Sequence, residues 1–171
     1  MNPRKLSVAI MLLLLSTLLH ATETARYTQT PYTAQKVVYD FYFDEPEKMA
    51  IALYWLRSLL NPLMDEPYAT TPEEHRIKVV IHGTEIVTLA RKNYKKYKDI
   101  VERMRYYAEF GVEFKACGLV MDEYGYRPQD FYPFVEVVPS AITELVHWQM
   151  QGYGLIRPTI MEKHKSIEEI R

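Results

Sequence analysis

Gly111-Val112-Glu113-Phe114-Lys115-Ala116-Cys117-Gly118 holds three local signals in immediate succession. Gly111 suits the left-handed position that closes a helix. Val112 to Ala116 reads as a short strand, and Cys117-Gly118 opens a helix-like stretch that reaches Tyr124-Gly125. Helix, strand and helix in a row imply a parallel sheet, because parallel strands need crossover connections. Cys117 then stands at a strand-to-helix turn.

Upstream the same alternation repeats. Lys36 to Phe43 is rich in β-branched and aromatic residues, as a strand buried on both faces would be, with Asp40 interrupting it. Asp44 and Glu47 have the spacing of a capping box, and Met49, Ala52, Leu53, Leu56 and Leu60 recur at helical spacing, which predicts a helix from Glu45 to Asn61. Pro62, Pro67 and Pro72 fall in a stretch expected to end it. Ile77 to His82 reads as the second strand, with Gly83 allowing a sharp turn. Thr84 is placed to cap a helix from Glu85, with a break near Asn93. Tyr97, Ile100, Val101, Met104 and Ala108 then form the apolar stripe of the helix that Gly111 closes.

Downstream, an aromatic loop through Arg127-Pro128, Phe131 and Tyr132 leads to a fourth strand, Val135 to Val138. Ser140 is placed to cap a helix carrying Ile142, Leu145, Val146 and Met150, and Leu155-Ile156 is a fifth strand. The expected fold is α/β: three layers, with a mostly parallel sheet of about five strands covered on both faces. Ligands in such sheets bind beyond the carboxyl ends of the strands, which puts Asp44, His82, Cys117 and Ser140 on one rim.

At the start of a helix Cys117 would meet unpaired N–H groups and the positive end of the helix dipole, both favouring thiolate. The competing reading is a buried structural thiol, since free cysteine behaves as a small hydrophobe. His82 is placed to exchange a proton near Cys117, or simply to be hydrogen-bonded at a strand end. A metal centre from Cys117, His82 and His147 is a third reading that no CxxC or HxxxH spacing supports. Neither GxGxxG nor GxxxxGK[ST] occurs, and the acidic turn Asp44-Glu45-Pro46 opposes a nucleotide phosphate, so no cofactor is expected. Without a GxSxG elbow, Ser140 is read as a helix cap and not as a nucleophile.

Residues 1–21, with Arg4 and Lys5 ahead of the apolar run Leu6 to Leu19, have the shape of a secretory signal peptide. The run is too short for a stable membrane anchor. A periplasmic or otherwise exported location follows as an expectation. Removing Arg4 and Lys5 from 21 basic residues leaves 19 against 22 acidic ones, a net charge of −3, and no basic face for nucleic acid. Residues 22–35 read as a flexible lead-in, 36–158 as the folded domain and 159–171 as a tail. One cysteine excludes an internal disulfide.

Three stretches together resemble the DsrE/DsrF-like sulfur-relay family: Val79-Val80-Ile81-His82-Gly83, then Gly111 to Gly118, then Val137-Val138-Pro139-Ser140-Ala141 with Glu144-Leu145. The resemblance spans about Lys36 to Pro158. It implies an α/β/α fold, a homotrimer or hexamer as the usual assembly and, in some members, a cysteine that carries sulfane sulfur as a persulfide between a donor and an acceptor. Cys117 matches that cysteine, and His82 would poise the sulfur. The export signal departs from the cytoplasmic members and removes their partners. A non-catalytic periplasmic binding or scaffold protein, with a structural cysteine, stands beside this reading.

Overall fold

A computed structural model describes residues 24–171. The expected signal segment lies outside the described residues. The chain divides after Thr30, and the unit from Pro31 to Arg171 carries all the helices and strands described below.

Five parallel strands form the sheet: β1 (Lys36–Phe41), β2 (Arg76–Ile81), β3 (Glu113–Cys117), β4 (Val135–Val138) and β5 (Gly154–Ile156), in the order β4-β3-β2-β1-β5. Three long helices connect them: α1 (Lys48–Met64), α2 (Tyr94–Glu109) and α4 (Ala141–Met150). The short helices are α3 (Gly118–Glu123) and α5 (Ile167–Ile170). The march from β1 to β4 runs one way across the sheet and the step to β5 runs back. Right-handed crossovers therefore place α1 and α2 on one face and α4 on the other.

Strand alternation sorts the side chains accordingly. Val37, Tyr39, Phe41, Val79, Ile81, Phe114 and Ala116 join Leu53, Leu56, Val101 and Met104 of α1 and α2 in the main core. On the opposite face Val38, Val80 and Cys117 pack with Ala141 and Leu145 of α4 in a much smaller cluster. That face also carries two buried lysines. Lys78 pairs with Glu113 at 2.5 Å, Lys115 with Glu136 at 2.5 Å, and Lys78 lies 3.9 Å from the centroid of the Trp148 ring. Burial acts to lower the Lys115 pKa, but the Glu136 and Glu113 carboxylates outweigh it and hold the ammonium above its ordinary value.

Several local expectations are corrected. β1 ends at Phe41, because the Phe43 N–H turns away to a buried side-chain carboxylate. α1 begins at Lys48 without a side-chain cap, Asp44 pairing instead with Lys48 at 2.6 Å. Pro62 lies inside α1. A proline so near the end removes one helical hydrogen bond, and burial of Leu60 and Leu63 carries the helix on to Met64. Thr84 does not cap an α-helix: Thr84–Leu89 and Arg91–Asn93 are 3-10 turns, and the break at Asn93 falls as expected before α2. Ser140 stands at the N-cap of α4, yet its side chain makes no capping bond. The apolar residues expected to pack α4 divide: Leu145 is buried, whereas Ile142, Val146 and Met150 are exposed. Gly111, with φ +85°, takes the left-handed conformation that its place after α2 requires.

Candidate functional site

The rim at the carboxyl ends of the strands is tied together by one buried acid. The Glu85 carboxylate accepts the Gly83 N–H at 2.9 Å and the Phe43 N–H at 3.0 Å, joining the exits of β2 and β1. Burial raises its pKa, and the backbone N–H groups of Gly83 and Phe43 oppose the rise. Gly83 is required by close approach: a Cβ there would lie 2.4 Å from Glu85 Oε2 and 2.5 Å from the Phe43 backbone.

On this rim His82 and Asp40 form a short pair, Nε2 to Oδ1 at 2.6 Å, with side chains 13% and 11% exposed. Asp40 lies on β1 and His82 is the first residue beyond β2, where the register pairs Asp40 with Val80 and Phe41 with Ile81. Tyr42 stacks on the His82 ring, centroids 4.8 Å apart. Arg157, one residue beyond β5, approaches the other Asp40 oxygen at 3.6 Å and lies 5.7 Å from the Tyr42 ring centroid. A buried aspartate in a strand is stable only with such partners. These side chains, with Thr84 and Glu123, line a cleft of about 590 Å³. The cleft lies beside the place where the chain reverses its march across the sheet, where ligands of open parallel sheets bind.

Cys117 ends β3 behind this cleft. The register pairs Ile81 with Ala116, so His82 and Cys117 follow one step on along neighbouring strands. The thiol is 4% exposed, and its sulfur accepts the N–H of Ala141, the first residue of α4, at 3.3 Å. It does not line the cleft. Val120 of α3 does, and the same side chain packs against the cluster that holds Cys117. Of the four residues expected on the rim, Asp44 and His82 reach the cleft, Cys117 lies behind it and Ser140 only precedes α4. His147, by contrast, sits on α4 against the Trp148 ring. Among the described residues no group of three His, Cys, Asp or Glu side chains is arranged to hold a metal ion.

Sequence reasoning missed Asp40, Tyr42 and Arg157. Asp40 was legible as a charge inside an otherwise apolar strand, which signals a buried partner. Arg157 carried no signal, since only the return of β5 to the side of β1 brings it near.

A model of the DsrE/DsrF-like family matches residues 36–158. The chain belongs to this family. Among solved structures it is similar to a protein of unknown function from Methanobacterium thermoautotrophicum, 25% identical, covering 72% of this chain and 99% of that one with a TM-score of 0.58. No curated protein matches it. Membership supports a sulfur-relay type of role at the level of the family, and the three-layer α/β/α fold agrees with it.

Proposed function

We propose that this protein is an exported sulfur carrier that holds sulfane sulfur as a persulfide on Cys117. The observation that carries the reading is the Ala141 N–H donated to the Cys117 sulfur at 3.3 Å. A sulfur at the N-terminus of a ten-residue helix is placed where negative charge is stabilised. In the loading step the Cys117 thiolate attacks the outer sulfur of a hydropersulfide donor R–S–SH. The new bond forms to Cys117, the donor S–S bond breaks, and the proton lost by Cys117 is matched by one taken up by the departing thiolate. Cys117–SH and R–S–SH become Cys117–S–SH and R–SH, with no net oxidation.

The location rests on the signal-like residues 1–21. A homotrimer or hexamer is part of the proposal, supported by the exposed stripe Ile142, Val146 and Met150 along α4. Sedimentation of the purified protein tests the assembly. Fractionation of producing cells tests export.

One observation favours a second reading, a non-catalytic binding or scaffold protein. Cys117 packs among Val38, Val80, Ala141 and Leu145, the setting of an inert structural thiol. Intact mass after incubation with polysulfide separates the two. A reducible sulfur-sized gain that Cys117→Ser abolishes supports the carrier, and no gain supports the scaffold.

A further inference from the structure

The Asp40 and His82 pair has a chemical consequence beyond holding the rim together. At 2.6 Å from a carboxylate oxygen, His82 Nε2 is the protonated nitrogen, because a carboxylate only accepts. Nδ1 is then the basic nitrogen of the neutral ring, and among the described residues it has no hydrogen-bond partner. Tyr42 stacking on one side and Arg157 at the second Asp40 oxygen hold the pair in this orientation. The same cleft presents Thr84, whose hydroxyl oxygen is buried without a hydrogen-bond partner. A base of fixed tautomer and an unsatisfied hydroxyl in one cleft point to a small polar ligand.

We propose that Asp40 is a positioning residue: it fixes His82 as the Nε2–H tautomer, so that Nδ1 takes the proton of an uncharged acceptor thiol seated in the cleft beside Thr84. The inference rests on the carrier reading and names its acceptor class. Nδ1 removes the proton of R′–SH, and R′–S⁻ attacks the outer sulfur of Cys117–S–SH. The bond to the Cys117 sulfur breaks, R′–S–SH forms, and the Cys117 thiolate recovers the proton. An uncharged thiol fits because Arg157, the Lys or Arg side chain among the described residues lining the cleft, is engaged with Asp40, while Glu123 adds negative charge. Val120, between cleft and cysteine cluster, is the side chain that must shift to let the two sulfurs meet.

The test uses the mature chain loaded with sulfur on Cys117 and then unloaded by 2-mercaptoethanol, followed by intact mass. Asp40→Asn is expected to slow unloading about 10²-fold, because an asparagine amide can donate to Nε2 and so admits the wrong tautomer. Alkylation of Cys117 by iodoacetamide and thermal stability, which report structure alone, should change little. Carbon and nitrogen chemical shifts of His82 give a second readout that needs no sulfur. The Nε2–H form is expected in the wild type and a mixture in Asp40→Asn. An Nδ1–H ring in the wild type, or equal unloading rates, overturns the inference while the carrier reading stands. If wild-type Cys117 takes up no sulfur, the carrier reading and the acceptor role built on it fall together, and the chemical shifts then decide the positioning of His82 by Asp40 alone.

Discussion

Glu85 and Phe43, 42 residues apart in sequence, are joined by a buried hydrogen bond of 3.0 Å from the Phe43 N–H to the Glu85 carboxylate, which also accepts from Gly83 at 2.9 Å. This acid fixes the loops from which Tyr42, His82 and Thr84 reach the cleft. Replacing it by alanine leaves two N–H donors without acceptors. Glu85→Ala is expected to lose roughly 1–3 kcal/mol of stability, and Glu85→Gln somewhat less, since one amide oxygen survives. Urea midpoints at constant m-value check this, and an unchanged midpoint would count against the bridge.

Gly83→Ala tests the same corner from the other side. The added methyl group would lie 2.5 Å from both the nitrogen and the oxygen of Phe43. Backbone cannot move aside as a side chain can, so a cost of about 1–3 kcal/mol is expected. The clash with Phe43 remains when Glu85 is also shortened, so the double variant should be no more stable than Glu85→Ala alone.

His75 gives the protein an acid-sensitive point. It is 3% exposed, accepts the Gln35 N–H on Nδ1 at 3.1 Å and meets the Thr70 hydroxyl at 3.0 Å on Nε2. Thr70 donates its own proton to the Leu63 carbonyl, so Nε2 carries the hydrogen and the ring is neutral. Burial holds its pKa below the ordinary imidazole value. The unfolded chain therefore binds more protons than the folded one as pH falls below about 6.5. Stability from this group is complete above that pH and declines below it. Denaturation midpoints from pH 7.5 to 5 should fall for the wild type and fall less for His75→Gln.

Val120 separates the cleft from Cys117. Wild-type Cys117 is expected to react with iodoacetamide far more slowly in the folded chain than in urea, and Val120→Ala should accelerate the folded-state reaction severalfold. Equal rates in the two folded proteins would show that reagents reach the thiol by another route. Cys117→Ser should keep the fold, since a hydroxyl oxygen can also accept the Ala141 N–H.

Lys115 is buried with its charge matched by Glu136 at 2.5 Å and Glu113 at 3.3 Å. Lys115→Ala leaves these acids facing each other across the sheet. The carboxylates remain partly exposed to water, which limits the expected loss to about 1–3 kcal/mol. Lys115→Met, which keeps the buried stem, should cost less. Thermal unfolding at low and high salt checks the assignment, both variants gaining more than the wild type from salt that screens the two acids left without Lys115.

The sequence by itself determined the alternation of strands and helices, the apolar stripes of α1 and α2, the left-handed Gly111 and the family resemblance of Val79 to Gly83 and Gly111 to Gly118. These are local properties: side-chain period, backbone freedom and chain order act within a few residues. The tertiary structure decided what lies between distant segments. It decided that β5 returns beside β1, bringing Arg157 to Asp40, and that Glu85 crosses to Phe43. It also decided that α4 buries Leu145 but leaves Ile142 and Val146 outside, so that Cys117 sits beneath that helix instead of in the open cleft with His82. Such contacts depend on strand order and on which helix covers which face, and neither is written in the period of any single stretch of chain.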